Sequence, residues 1–249
     1  MDINLFDIVI PVGPNDINII NKQVEYTKKN VIGYRNIYII SYDPTIFVEG
    51  CIIINENIFP FSKKDVENYL GKESRQNWYI QQLFKLYSCF IIPDILERIL
   101  IIDSDIFFSK PTKFVEFDNG NEICLYNPSE EYHLPYFDHM KKLHPNLYKK
   151  NIKLSGISHH MIFEKKYLKK LFDEVEEYHK ELFWIAFLKC IIEYNTSGAS
   201  EYEIYFNYML INFPEKIRIR NLSIQNIYCI KDIDNYNYDI ISCHWHSRQ

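Results

Sequence analysis

Two pairs of residues in this chain have the types and the spacing to do chemistry. Asp103 and Asp105 close the run RILIIDSDIFFSKP (98–111), one of the most apolar stretches present. His244 and His246 end the segment DIISCHWHSRQ (239–249) in a chain with only eight histidines. In extended backbone alternate side chains share a face, so Asp103 and Asp105 would point the same way with Cα atoms roughly 6 to 7 Å apart, and Ser104 would point away. Two carboxylates on a dry sheet edge destabilise a fold unless a proton or a cation intervenes. A hard divalent ion on oxygen ligands removes that conflict and can then hold a diphosphate. The plainer alternative is that the pair caps the next turn or meets a lysine, as short acidic motifs at strand ends commonly do.

The elements that must position these residues are legible from periodicity. FDIVIP (6–11) reads as an opening strand, and DINIINKQVEYTKKN (16–30) has helical spacing after a turn at Gly13, Pro14 and Asn15. Short strands are predicted over 36–41 and 51–54, a helix from Ser62, and a longer helix over RQNWYIQQLFKLYSCFII (75–92), where Trp78, Leu83, Leu86, Tyr87 and Phe90 share a face. ERILIID (97–103) is a strand with almost no polar interruption, the type found in sheets covered on both faces and built parallel with crossover helices. The pattern predicts an α/β fold, a mostly parallel central sheet with helices on both faces. Ligands in such sheets gather beyond the carboxyl ends of strands, where the crossover direction reverses, and the Asp103–Asp105 pair falls at such an end.

Composition bounds the function. A chain of 249 residues, 47% hydrophobic and 16% aromatic, can bury a continuous core, and no repeat or linker divides it, so one domain over 1–249 is expected. A formal net charge of -5 gives no general field for nucleic acid or an anionic membrane. The amino terminus, MDINLFDIVIPVGPND, is acidic and carries no secretory pattern, and no apolar run is long enough to cross a bilayer. The expectation is a soluble cytoplasmic protein, in the host cytoplasm for a viral chain. Six scattered cysteines with no C-x-x-C pair read as reduced, buried thiols.

The stretch QQLFKLYSCFIIPDILERILIIDSDIFFSKP (81–111) resembles nucleotide-sugar glycosyltransferases of the GT-A (Rossmann-like) fold. There a helix and a turn lead into a strand ending in D-x-D and then a proline. The chain is similar to the glycogenin and lipopolysaccharide galactosyltransferase group and to glycosyltransferases ascribed to bacteria and giant viruses. The resemblance implies a nucleotide-binding half (1–110) and a donor-sugar and acceptor half (111–249). It implies transfer of a sugar from a nucleotide-diphosphate sugar, a UDP-sugar first, to a hydroxyl of a glycan, lipid-linked or protein acceptor, with Mn²⁺ or Mg²⁺. Mn²⁺ suits a mixed imidazole and carboxylate set better.

The resemblance also distributes roles. Pro11, Val12 and Gly13 would meet the nucleotide base, with Asp16 a weaker candidate; as an ordinary turn, the same stretch would use Asn15 or Asp16 as a helix N-cap. Lys85, and more loosely Arg75, would face the nucleotide or stay solvated. Asp103, Ser104 and Asp105 would contact donor and metal. KLSGISHHMIFEKKYLKKLF (153–172) resembles the strand that receives the donor sugar, with Gly156 allowing close approach. His159 or His160 would reach sugar or acceptor, or simply pack. NTSGASEYEIYFNYML (195–210) matches an acidic segment beside the sugar, which makes Glu201 the sugar contact or general base, while Ser200 and Glu203 form a capping box. His244, with His246 second, would complete the metal shell, and Arg248 would pair with the departing diphosphate. Whether the anomeric configuration inverts or is retained stays open: the named group retains it, and a Glu base favours inversion. Two other readings compete. One is a non-catalytic carbohydrate- or nucleotide-binding protein on a transferase fold. The other is a haloacid dehalogenase-type phosphatase, whose D-x-D lies on the first strand.

Overall fold

A computed structural model describes residues 5–249. Its central sheet has five strands in the order β10-β5-β1-β3-β4, where β1 is Phe6–Val12, β3 Tyr34–Ser41, β4 Ile52–Asn55, β5 Arg98–Ile102 and β10 His160–Glu164. Strands β1, β3, β4 and β5 are parallel, and β10 pairs antiparallel with β5. All seven residues of β1 are buried, as a strand covered on both faces requires. Its one acid, Asp7, takes hydrogen bonds from Arg35 Nε (3.0 Å), Asn36 N (3.0 Å) and Leu96 N (2.8 Å), so its charge is met at the sheet's amino end.

The crossovers place a crevice. From β1 the chain passes through α1 (Ile20–Asn30) and β2 (Val31–Ile32) to β3 and then outward to β4. It returns through α2 (Lys63–Leu70) and α3 (Gln76–Ile91) to β5, on the other side of β1. Right-handed crossovers running in opposite directions put α1 and α3 on opposite faces, and the reversal between β1 and β5 is where an open sheet of this kind leaves a ligand crevice. Helix α2 starts where the sequence places it, because Ser62 and Asp65 form a reciprocal capping box. Helix α1 starts later than the predicted residue 16. Residues 13–19 turn instead, Ile19 occupies the N-cap without a side-chain bond, and Asp16 is used elsewhere.

The second half wraps the sheet's edge with β6 (Ile106–Phe108), β7 (Thr112–Lys113), β8 (Val115–Asp118), β9 (Asn121–Tyr126), β11 (Ile217–Ile219), β12 (Ile224–Asn226) and β13 (Ile240–Ser242). These form a β12-β13-β6 sheet, a β11-β9-β8 sheet and the small pair β2-β7. Helices α4 (Leu134–Leu143), α5 (Lys165–His179), α6 (Phe183–Lys189) and α7 (Glu201–Asn212) complete the chain, with aromatic packing such as Phe172 stacked on Phe183 at 3.9 Å. All six cysteines are free. No helix among the described residues is long and apolar enough to cross a membrane.

Two local readings are corrected. Strand β5 ends at Ile102, and Asp103, Ser104 and Asp105 form a tight turn closed by Ile106 N–H on Asp103 O (3.2 Å), so the acids do not share a face through strand alternation. Likewise β13 ends at Ser242, and the predicted histidine-bearing strand end is a loop followed by one helical turn over Trp245–Ser247.

His160 opens β10 and lies buried with its ring edge-on to Phe108 (5.2 Å) and Phe114 (5.6 Å); neither ring nitrogen has a partner. Burial lowers its pKa to about 3, and likewise that of His139 to about 4. The unfolded chain protonates both near 6.5, so between that value and the folded pKa it binds more protons than the native state. Stability therefore falls as pH drops below 6.5, by up to about 1.4 kcal/mol per pH unit for each ring. Urea titrations at pH 7 and pH 5 should show a clear gap for the native sequence and a narrower one for His160→Phe. An unchanged gap would contradict the assignment.

Candidate active site

The turn at 103–105 sits at the carboxyl end of β5, beside the β1–β5 switch point, and four elements converge on it. From α3, Lys85 reaches Asp103 Oδ1 (2.6 Å) and Glu201 Oε1 (2.6 Å). Lys85 is buried on the helix face that meets β1 and β5, so its ammonium has no water to rely on and must find anions. From α7, Tyr202 donates its hydroxyl to Asp103 Oδ1 (2.8 Å) and lays its ring 4.5 Å from the Lys85 nitrogen. From the segment before β10, His159 Nδ1 meets Asp103 Oδ2 (3.1 Å), while the His159 carbonyl accepts Asp103 N–H (2.9 Å). His159 holds φ at +59°, a left-handed conformation that costs a residue with a β-carbon about 1–2 kcal/mol.

Charge follows from this arrangement. Burial opposes ionisation of Asp103, yet Lys85 and the His159 hydrogen bond outweigh it and hold the carboxyl well below the usual range. Burial also opposes charge on Lys85 and His159, and the adjacent acids win in both cases, raising each above its ordinary value. At Glu201 the balance reverses: burial dominates over Lys85 and its carboxyl is raised. The two acids on one lysine are therefore unequal, Asp103 the weaker base and Glu201 the stronger.

Asp105 has a separate partner. Its Oδ2 meets His244 Nδ1 at 2.8 Å, and its carbonyl accepts Cys243 N–H (3.0 Å). The rings of His159 and His244 lie 5.0 Å apart, tilted by 49°, so the two acid–imidazole pairs stand side by side. The side chains of Asp103, Asp105, His159 and His244 keep 13–33% of their surface exposed, which makes them the part of the cluster a ligand can reach. His246 stacks on His244 at 5.6 Å from the exposed side and touches neither acid. Among the described residues no three His, Cys, Asp or Glu side chains gather as a ready metal shell.

The remaining sequence candidates divide. Pro11, Val12 and Gly13 lie at the carboxyl end of β1 in the same crevice, with open space above Gly13. Ser104 is buried and donates to Asp16 Oδ2 (2.6 Å). Arg248, expected to meet a departing diphosphate, instead spends its guanidinium on Asp16 Oδ1 (2.5 Å), Asn15 O (2.9 Å) and Cys243 O (2.7 Å). Arg75 binds Ser197 Oγ (2.6 Å) at the start of α3. Gly156 is a glycine for packing: a β-carbon there would lie 2.5 Å from Tyr202 O and 2.8 Å from Phe206 Cβ. Its N–H and the Ser155 hydroxyl bind Glu203 Oε2, so only half of the expected capping box forms, Ser200 accepting from Glu203 N. Glu201, expected to contact sugar or act as base, is buried with its carboxylate on Lys85. Sequence reasoning missed Tyr202. Its neighbour Glu201 marked the helix start, but nothing in the pattern showed which face would meet Asp103.

Comparison places the chain in a family. A family model described as a family of unknown function (DUF6492) matches residues 7–247, and the chain belongs to that family. No curated protein matches it. Among solved structures, mouse xyloside xylosyltransferase 1 in its apo form is similar over 98% of this chain and 99% of its own, at 9% identity and a TM-score of 0.48. A glycosyltransferase involved in the glycosylation of the major capsid of PBCV-1 is similar over 95% and 92% of the two chains, at 14% identity and a TM-score of 0.40. Likeness this loose carries no function, and the reading below rests on the site itself.

Removing the lysine tests the electrostatic frame. Lys85→Met leaves two buried carboxylates facing each other and should destabilise the fold by about 3–5 kcal/mol in a denaturant titration. Adding Glu201→Gln should recover part of that loss. A Lys85→Met protein as stable as the parent would refute the pairing.

Proposed function

We propose that the chain is a metal-dependent glycosyltransferase that moves a sugar from a nucleotide-diphosphate sugar, a UDP-sugar first, to a hydroxyl of a glycan, lipid-linked or protein acceptor. The observation that carries this is the contact of Asp105 with His244 beside an ionised Asp103, at the carboxyl end of β5 next to the switch point. A carboxylate oxygen and an imidazole nitrogen in contact, held on backbone joined by the Cys243–Asp105 hydrogen bond, are donors suited to Mn²⁺, and less to Mg²⁺. Asp105 and His244 would hold the ion, and Asp103 would contact it and the donor; His246 stacks on His244 and contacts neither acid. The ion would neutralise charge on the diphosphate leaving group, an effect that accelerates only because it is stronger in the transition state.

The chain's own residues supply the rest. The β1 end at Pro11–Gly13 offers backbone groups and open space for the nucleoside. Asp103, kept ionised against burial by Lys85 and His159, is too weak a base to take a proton and is suited to stabilising positive charge at the sugar carbon. Its Oδ2, shared with His159, is the oxygen not taken by Lys85. Glu201 is the stronger base, and its contact in this structure makes it the residue that charges and fixes Lys85. The phosphatase reading is disfavoured because neither Val12, where β1 ends, nor Gly13 after it is an acid, and the acidic turn follows the fourth parallel strand. Six free thiols support a reducing, cytoplasmic setting.

Thermal shift gives the test. UDP should raise the melting temperature in the presence of Mn²⁺ and have little effect without it. Asp105→Ala and His244→Ala should each abolish that dependence and lower nucleotide-sugar turnover at least about a hundredfold, the factor for roughly 3 kcal/mol. Folded variants with full turnover in chelator would sink the metal role of Asp105 and His244, and no nucleotide effect on the parent would sink the transferase and leave a carbohydrate-binding protein.

A further inference from the structure

We infer that Asp16 and Arg248 are positioning residues: together they latch the C-terminal segment to the 103–105 turn and so hold His244 on Asp105. The inference rests on the reading of Asp105 and His244 as ion donors, but its geometry stands by itself. Starting at the turn, Asp105 O accepts from Cys243 N (3.0 Å) and Cys243 O accepts from Arg248 Nε (2.7 Å). Arg248 Nη2 then donates to Asp16 Oδ1 (2.5 Å), and Asp16 Oδ2 accepts from Ser104 Oγ (2.6 Å). The Ser104–Asp105 peptide closes the circuit. A side arm from Arg248 Nη1 to Asn15 O (2.9 Å) ties the same guanidinium to the β1–α1 loop.

The circuit answers a need. Strand β13 is three residues long, and the segment after it has one helical turn over Trp245–Ser247 and a bond from Gln249 N–H to Tyr228 O (2.9 Å), so little regular structure holds it in place. The single hydrogen bond from His244 to Asp105 is too weak to order the segment alone, because a typical hydrogen bond adds little net stability. A charge-assisted pair with both partners mostly enclosed, 15% and 12% exposed at their side chains, is the stronger tie. Asp16 spans two sequence-distant pieces, one oxygen on the acidic turn and the other on the last residues. It explains why the residue between the two acids is a serine: its hydroxyl is the anchor on the turn side. Arg248 thus acts through His244 rather than on the ligand.

Hydrogen exchange on the full chain, read alongside Mn²⁺ titration with the ion alone, tests the latch. Asp16→Asn and Arg248→Gln should each lower amide protection across 240–249 by about tenfold or more while leaving β1, β3 and β5 unchanged, and should weaken Mn²⁺ binding by a similar factor. Since both break the shared Arg248–Asp16 bridge, the double variant should lose less than the sum of the two singles, and Arg248→Lys should restore part of the protection. Folded single variants with parental protection at 240–249 would overturn the latch, whatever the Mn²⁺ result. Lost protection in the variants of a parent that binds no Mn²⁺ would support the latch and remove the donor reading, so the two failures are distinguishable.

Discussion

One buried ammonium holds the candidate site in register. Lys85 lies between two carboxylates, each 2.6 Å away, contributed by the end of β5 and the start of α7. Neither acid could stay charged at that depth without it, and it could not stay charged without them. The same pairing fixes α3 against α7 at the crevice, so the position of the acidic turn, the approach of Tyr202 and the orientation of His159 all follow from satisfying this one cation.

The two aspartates of the turn, identical in type and two residues apart, are made chemically different by their partners. Asp103 faces inward, to a lysine, a tyrosine hydroxyl and an imidazole, and is locked in its ionised form. Asp105 faces the C-terminal segment and meets one imidazole. A turn, unlike an extended strand, lets neighbouring side chains serve different walls of a crevice. The outcome is a division of labour: one acid held ionised by the groups around it, the other paired with an imidazole from the segment after β13.

Much of this was legible in the sequence. The unbroken apolar strand ending in Asp103 announced a sheet covered on both faces, and helical spacing located α2 and α3 to within a residue or two. The family resemblance also singled out Lys85, Glu201, His159 and His244, which the structure brings to one cluster. What periodicity could not supply was long-range pairing. Glu201 was singled out as a sugar contact or general base by the resemblance, and only the packing of α7 against α3 shows it buried on Lys85. Arg248 read as a free cation because Asp16, more than two hundred residues away, cannot be matched to it by pattern. Gly156 read as room for a ligand, when the space is filled by the backbone of α7.

The most direct test of the central claim is anomalous diffraction at the manganese edge from crystals grown with Mn²⁺ and UDP. The account predicts a single strong peak bonded to Asp105 and His244 and to diphosphate oxygens, with Lys85 still bridging Asp103 and Glu201. Crystals showing ordered UDP elsewhere, or no peak at the turn and Asp105 still paired to His244, would contradict it.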